Sequence, residues 1–376
     1  MEKTELLEEI LRGGAERETD LARLTAKAGL DAVAGVLLAE VAFRCPPPVN
    51  TLPVHVGLDL EHDGAVRRSA LRLVRDEPVT VHPRPQEGTP TLLRFSLADL
   101  VRRLFGPEEA GQGGDFHNEF LPQPPGAENM METWSAVSHA THTVMTALST
   151  LTPDLGELAV RYGSDKWASF HWYTPHYDHH FRPLRNTPVR VLEIGVGGYE
   201  EYDGGGSLKM WKRYFRRGLI HGLDIVDKTR LSEPRLTVLT GDQNDPETLE
   251  RIVREHGPFD VVIDDGSHVN QHVHTSFRTL FPHLRSGGLY VIEDLQTSYW
   301  PEFGGTDGPN AAPDTSLGLV KQLLDDLHHQ ERPKDRDTAD ATRSTVTGVH
   351  VYHNIAFVTK GVNGEAPLPD WMLQGH

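Results

Sequence analysis

Val261–His268 reads VVIDDGSH, an apolar run that stops at two carboxylates, a glycine, a hydroxyl and an imidazole. A run of roughly four to eight apolar residues ended by turn formers fits a strand buried on both faces of a parallel sheet. In open α/β sheets ligands sit beyond the carboxyl ends of such strands, so Asp264, Asp265 and His268 are expected to face a crevice. Val189–Gly198 (VRVLEIGVGG) and Gly288–Asp294 (GLYVIED) repeat the pattern, and three strand tips carry acids. Acids gathered at one sheet edge point to a cation, a ligand's polar groups or a proton to move. The plainer alternative is that each acid caps the helix that follows.

Working outward from that stretch, the order VRVLEIG, SLKMWKRYF, LIHGLDI, RLTVLTG, LERIVREHG, FDVVIDD, VHTSFRTLFPHLRSGG, LYVIEDL alternates strand and helix. Such alternation predicts a doubly wound parallel α/β sheet with right-handed crossovers. Thr315–His328 reads as a helix, and Gly348–Lys360 as two strand-like runs with a turn or irregularity at Asn354. Residues 151–376 are taken as this domain, and residues 1–150 as a smaller α+β auxiliary domain.

In that first domain, Glu2–Val41 has helical spacing broken by Gly13-Gly14 and Gly29, and CPPPVNTLP ends the helices. VHVGLDLEH, ALRLVRD, VTVHP and TLLRFS then predict a meander of antiparallel strands, with Asp63-Gly64 as a hairpin turn. Leu97–Phe105 returns to helical spacing, Gly106–Gly126 is expected to be a loop, and residues 127 to about 160 read as helical. The pattern resembles small sterol-carrier-type lipid-binding folds, a resemblance that carries no function here. Oligomerisation or substrate shaping is the role left for this domain.

Composition removes several classes of function. At 376 residues the chain has room for two or three domains. A formal net charge of −17 and the lack of a basic stripe argue against a general nucleic-acid or anionic-membrane binder. The single cysteine, Cys45, excludes an internal disulfide and any cysteine-rich metal site. Residues 1–12 read as an acidic amphipathic helix and not as a secretory signal, and no apolar run approaches membrane-spanning length, so the cytoplasm is the expected compartment.

In Leu192–Tyr199 (LEIGVGGY) the acid Glu193 precedes a turn in which Gly195, Gly197 and Gly198 let a ligand approach the backbone. The dinucleotide pattern is not met, because the turn runs into Tyr199 and on to Gly204-Gly205-Gly206-Ser207 with no immediate helix N-terminus for a pyrophosphate. Asp224, ending the second strand, can accept both hydroxyls of a ribose, and Asp242 with Gln243 after the third can read an adenine edge. The ligand this describes is nucleoside-like and makes no demand for phosphate contacts.

LEIGVGG, GLDI, GDQ and IDDGSH, in this order, resemble the class I S-adenosylmethionine-dependent methyltransferases. YGSDKW, HWYTPHY, IDDGSHVNQHVHTSF, GGLYVIEDLQTSYW and the glycine-rich segment before SLKMW resemble the macrolide-sugar O-methyltransferases, over roughly residues 160–360. The resemblance implies methyl transfer from S-adenosylmethionine to a hydroxyl of a deoxysugar on a polyketide, assisted by Mg2+. It matches Asp265 and Asp294 to metal ligands and His268 to the general base, while Glu193, Gly195, Gly197, Ser207, Asp224, Asp242, Gln243 and Asp264 are the candidate cofactor-site residues. It also implies a homo-oligomer, a tetramer by analogy, and a glycosylated macrolide as the partner molecule. The chemistry agrees: a hard cation on carboxylates favours an alkoxide, and an adjacent imidazole takes the proton.

Asp264 has two readings, holding the cofactor's amino group or capping the turn, and Asp165 with Lys166 either ties its segment to the cofactor or forms a surface pair of little worth. Tyr173, His176 and Tyr177, with Trp172, His179 and His180, suit a sugar-binding lid, although a histidine-rich surface helix reads the same way. Tyr299 and Trp300 are candidate apolar walls for a glycoside. His268 and His272 share the spacing of a zinc hydrolase helix, but the glutamate such an enzyme needs is missing. The alternatives to a methyltransferase are a nucleotide-dependent oxidoreductase and a non-catalytic protein that binds lipid or a protein partner.

Overall fold

The computed structural model describes residues 3–11, 18–85, 88–106, 116–121, 130–151, 153–168, 170–198, 203–331, 342–364 and 372. The chain divides into two compact units: Met1–Pro153 with Arg185–Pro188 and Arg213–Arg217, and Asp154–Leu184 with Val189–Lys212 and Gly218–His376.

The first unit begins with α1 (Lys3–Glu9), α2 (Glu18–Ala28) and α3 (Leu30–Arg44), the last two separated at Gly29, whose φ is 85°. Gly13-Gly14 and Tyr199 lie outside the described residues. A five-stranded sheet follows, made of β1 (Val54–His62), β2 (Ala65–Leu73), β3 (Thr80–His82), β4 (Thr91–Ser96) and β5 (Phe116–Phe120), in the order β3-β2-β1-β4-β5. The β1–β2 hairpin turns at Asp63-Gly64 as expected.

The meander does not hold, because β4 pairs with β1 in parallel. β1 is buried over most of its length and takes a neighbour on each side, whereas the three exposed or half-buried residues of β3 suffice only for an edge. β5 lies inside the stretch expected to be a loop. Its polar sequence FHNEF has no alternation to detect, and it is held by pairing with β4, where Phe95 stacks on Phe116 at 5.8 Å. The unit is completed by α4 (Leu97–Phe105), capped by the Ser96 hydroxyl, and α5 (Met130–Ala147).

The second unit opens with α6 (Leu155–Tyr162), whose N-terminus is capped by the Asp154 carboxylate, and α7 (Thr174–Phe181). The α/β alternation then runs β6 (Arg190–Ile194), α8 (Gly206–Tyr214), β7 (Leu219–Asp224), β8 (Leu236–Thr240), α9 (Pro246–His256), β9 (Val261–Asp264), α10 (Asn270–Leu280) and β10 (Leu289–Ile292). After α11 (Ser316–Asp326) come β11 (Val346–Tyr352) and β12 (Ile355–Lys360), an antiparallel hairpin turning at Asn354.

The sheet order is β11-β12-β10-β9-β6-β7-β8, parallel from β10 to β8 and antiparallel at β12 and β11. The order reverses between β6 and β9, the switch point at which such sheets leave a crevice. Every residue of β9 and β10 is buried, as expected for strands covered on both faces.

Because strand side chains alternate, each face has its own set. Leu192, Ile194, Val262, Tyr290 and Ile292 join the core under α10 and α11. On the opposite face Tyr177 and Phe181 of α7 pack on Trp211 of α8, with ring centroids 4.8 and 5.6 Å apart.

Candidate functional site

Ile194, Asp264 and Ile292 are in register, so β6, β9 and β10 end at one level. The alternation that sorts the core also sorts the acids. Asp264 points with Ile194 and Ile292 towards α10, while Glu193, Asp265 and Glu293 point to the other face.

Asp264 therefore does not face the crevice. It is buried and accepts hydrogen bonds from the hydroxyls of Ser276 and Tyr290, the latter at 2.9 Å, and from Gln243 Nε2 at 3.1 Å. Burial raises its pKa against those bonds. Among the described residues it caps no backbone N–H of the turn; it fastens β9 to α10 and β10.

Across the sheet, Lys166 is fully buried, with its ammonium 2.6 Å from Asp265 Oδ2, 2.7 Å from Glu293 Oε1 and 3.5 Å from Glu193 Oε1. Burial opposes its charge, yet the three carboxylates hold the ammonium well above the usual lysine range. Burial and then the charge of Asp265 push Glu293 well above the usual carboxylate range, and burial raises Glu193 to about 7 despite Lys166. The reading of Lys166 as half of a surface pair is thus corrected.

Two candidate contacts change with it. Tyr177, expected to meet substrate, is wholly buried and donates its hydroxyl to Glu293. Glu193, expected at the cofactor, lies behind the crevice and accepts from Ser207 Oγ at 2.8 Å.

At the rim, Asp265, His268 and Asp294 each bring one ligand atom within 4.8 Å of the others. His268 Nε2 is 3.4 Å from Asp294 Oδ2, and the Tyr173 hydroxyl donates to Asp294 Oδ1 at 2.9 Å. His171 Nε2 lies 3.5 Å from that same oxygen, with its ring stacked on Tyr173. Two carboxylates suit a hard divalent cation such as magnesium, which keeps several waters and seldom takes an all-protein cage. An imidazole is a poorer ligand for such an ion than a carboxylate, and it is a group able to accept a proton.

Asp265 and His268 line one cleft with Gly195, Gly197, Ser207 and Asp224, and Asp242 and Gln243 also border it. Gly195 has φ 93°, and a Cβ there would fall 2.0 Å from the Asp265 carbonyl oxygen. Asp224 accepts from the backbone of Val196 at 3.1 Å and Val226 at 2.9 Å, and Lys228 Nζ lies 3.0 Å from it. Gln243 uses both ends of its amide, donating to Asp264 and accepting from Ser267 N at 2.7 Å, so it braces the turn as well as bordering the cleft.

His176 is not among the cleft-lining residues; it stacks on Tyr352 with ring centroids 3.8 Å apart. Tyr299 and Trp300 are partly exposed beyond Asp294 and likewise do not line the cleft. Glu293, Lys228 and His171 were not singled out from sequence. Glu293 left a signal as the neighbour of Asp294 at a strand tip, and His171 as the first residue of HWYTPHY; Lys228 left none.

A parallel sheet whose order reverses at a glycine turn and ends in an antiparallel hairpin has the architecture of the class I methyltransferases, and this chain has that fold. The family model described as MycE methyltransferase N-terminal matches residues 7–113. Demethylmacrocin O-methyltransferase of Streptomyces fradiae is 47% identical over 98% of this chain and 94% of its own length. Mycinamicin VI 2''-O-methyltransferase of Micromonospora griseorubida is 45% identical over 97% and 93%. The solved structure of MycE methyltransferase from the mycinamycin biosynthetic pathway, in complex with Mg, SAH and mycinamycin VI, aligns with a TM-score of 0.88 at 44% identity, over 98% of this chain and 96% of that one. The chain belongs to the macrolide-sugar O-methyltransferase family. The oxidoreductase and the non-catalytic readings are thereby set aside.

Proposed function

We propose that the protein moves the methyl group of S-adenosylmethionine to a hydroxyl of a deoxysugar on a glycosylated macrolide, with His268 as general base and Asp265 and Asp294 as ligands of Mg2+. What carries this reading is one cleft that joins the glycine turn and Asp224 to Asp265 and His268. The donor fits along Gly195, Gly197 and Ser207, with its ribose at Asp224 and its base at Asp242 and Gln243. A bound divalent cation supplies charge that favours the alkoxide form of the acceptor hydroxyl.

His268 accepts the hydroxyl proton at Nε2, and Asp294 beside it stabilises the imidazolium that results. The sulfonium needs no acid, because its leaving group departs neutral, so the remaining work is in-line alignment of oxygen, carbon and sulfur. Tyr173 braces Asp294 from behind. Tyr299 and Trp300, exposed beyond Asp294, are the candidates for apolar contact with the glycoside.

The first unit serves as the auxiliary domain, shaping substrate access and forming a homo-oligomer, a tetramer by analogy. Light scattering on the purified protein measures that state. No described helix is long and apolar enough to cross a membrane. A donor made inside the cell places the enzyme in the cytoplasm, and the acidic surface gives nucleic acid no foothold.

The test is incubation with labelled S-adenosylmethionine and a panel of glycosylated macrolides, with the new methyl located by NMR. Label on a sugar oxygen, abolished by chelator and restored by magnesium, is the expected result. Full transfer in excess chelator would remove the cation, and binding of NAD in place of S-adenosylmethionine would remove the whole reading.

A further inference from the structure

We infer that Lys166 is a tethered second cation: its ammonium occupies the place that a second metal ion takes in two-metal sites, and so restricts this site to one divalent ion. Glu193, Asp265 and Glu293 come from the tips of β6, β9 and β10, respectively, on one face of the sheet, and a single side chain meets all three. Asp265 Oδ2 meets that ammonium at 2.6 Å, and the same carboxylate stands at the rim with His268 and Asp294. A carboxylate shared between two cations is the bridging pattern of two-metal sites, whose ions lie about 3.5–4 Å apart.

A second, independent observation points the same way. Glu193 Oε1 is buried with no hydrogen-bond partner within reach among the described residues, and the cation that faces it is the ammonium 3.5 Å away. Remove the ammonium, and three acids stand in surroundings where an uncompensated charge is costly. A small, mobile cation can then take its place, in competition with protonation of the acids.

Lys166 is thus a positioning residue. It orients Asp265 and sets how many ions the acids accept, without touching substrate. This inference rests on Asp265 and Asp294 as cation ligands, and its test separates the two ideas.

Manganese, used as the probe, is titrated into the full-length protein with S-adenosylhomocysteine present, and bound metal is counted by equilibrium dialysis. Wild type is expected to bind one ion per chain. Lys166→Ala is expected to bind two, or one at least tenfold more tightly, whereas Lys166→Arg, which keeps the charge, stays at one. If wild type binds none, the metal-ligand reading itself fails. If wild type binds one and Lys166→Ala also binds one less than tenfold more tightly, the tethered-cation inference alone is overturned. Should Lys166→Ala fail to fold, Lys166→Ala with Glu193→Gln removes one of the unbalanced charges, and the same counts decide.

Discussion

His268 and Asp294 hold φ values of 57° and 56°, a left-handed conformation that costs a residue with a side chain about 1–3 kcal/mol and persists where surrounding structure enforces it. At Asp294 the enforcement is visible: the next residue, Leu295, donates its N–H to the Asn354 carbonyl at 3.1 Å, and the Tyr173 hydroxyl holds the carboxylate. If His268 takes the proton in the chemical step, His268→Ala should lower turnover by about 10²–10⁴-fold and leave cofactor affinity unchanged. Single-turnover kinetics beside calorimetric titration measures both, and an unimpaired rate excludes His268 from the role. Asp264 makes the contrasting case. Ser276→Ala deprives a buried carboxylate of one hydroxyl and should cost about 1–3 kcal/mol of stability, read by denaturant unfolding, with little change in cofactor affinity. The carboxylates of VVIDDGSH were legible as a pair, but their opposite destinations were not, because only strand register says which of the two faces α10.

At the scale of elements, the turn after β6 can be tight only because β9 ends beside it. Gly195→Ala would combine a φ of 93° with a Cβ 2.0 Å from the Asp265 carbonyl oxygen, and neither backbone can yield without shifting the other. The variant should lose measurable cofactor binding while circular dichroism shows the secondary structure retained; binding at wild-type affinity would mean that the turn does not contact the donor. The βα alternation of the second unit was readable because each element has its own period and its own punctuation. β5 was not, because FHNEF has no pattern of its own and becomes a strand only by lying against β4. The parallel pairing of β4 with β1 was also out of reach. Four consecutive short strands read as a meander until the deep burial of β1 requires a neighbour on both sides.

Across the whole molecule, buried imidazoles are expected to weaken the fold in acid. His221 on β7 lies under Phe259 and His256; burial, then the neighbouring His256, lowers its pKa from the ordinary 6.5 to about 3. The unfolded chain then binds a proton that the folded chain refuses, so the stability His221 contributes is present above pH 6.5 and lost as pH falls towards 3. The loss is on the order of a few kcal/mol. Melting scans should show a steep fall below pH 6.5, shallower in His221→Gln; identical slopes would mean that the acid transition originates elsewhere.

The sequence alone determined the alternation of strand and helix in the second unit, the acids at the strand tips, the missing phosphate turn and the family, since all of these are written locally in period, punctuation and motif. Only the tertiary structure decided that Lys166 turns inward to three carboxylates, that Tyr177 and Glu193 stand behind the cleft, and that His171 flanks Asp294. Lys166 and Glu293 are more than a hundred residues apart in the chain. The direction of a side chain at that remove depends on which strands become neighbours, and no local pattern carries that information.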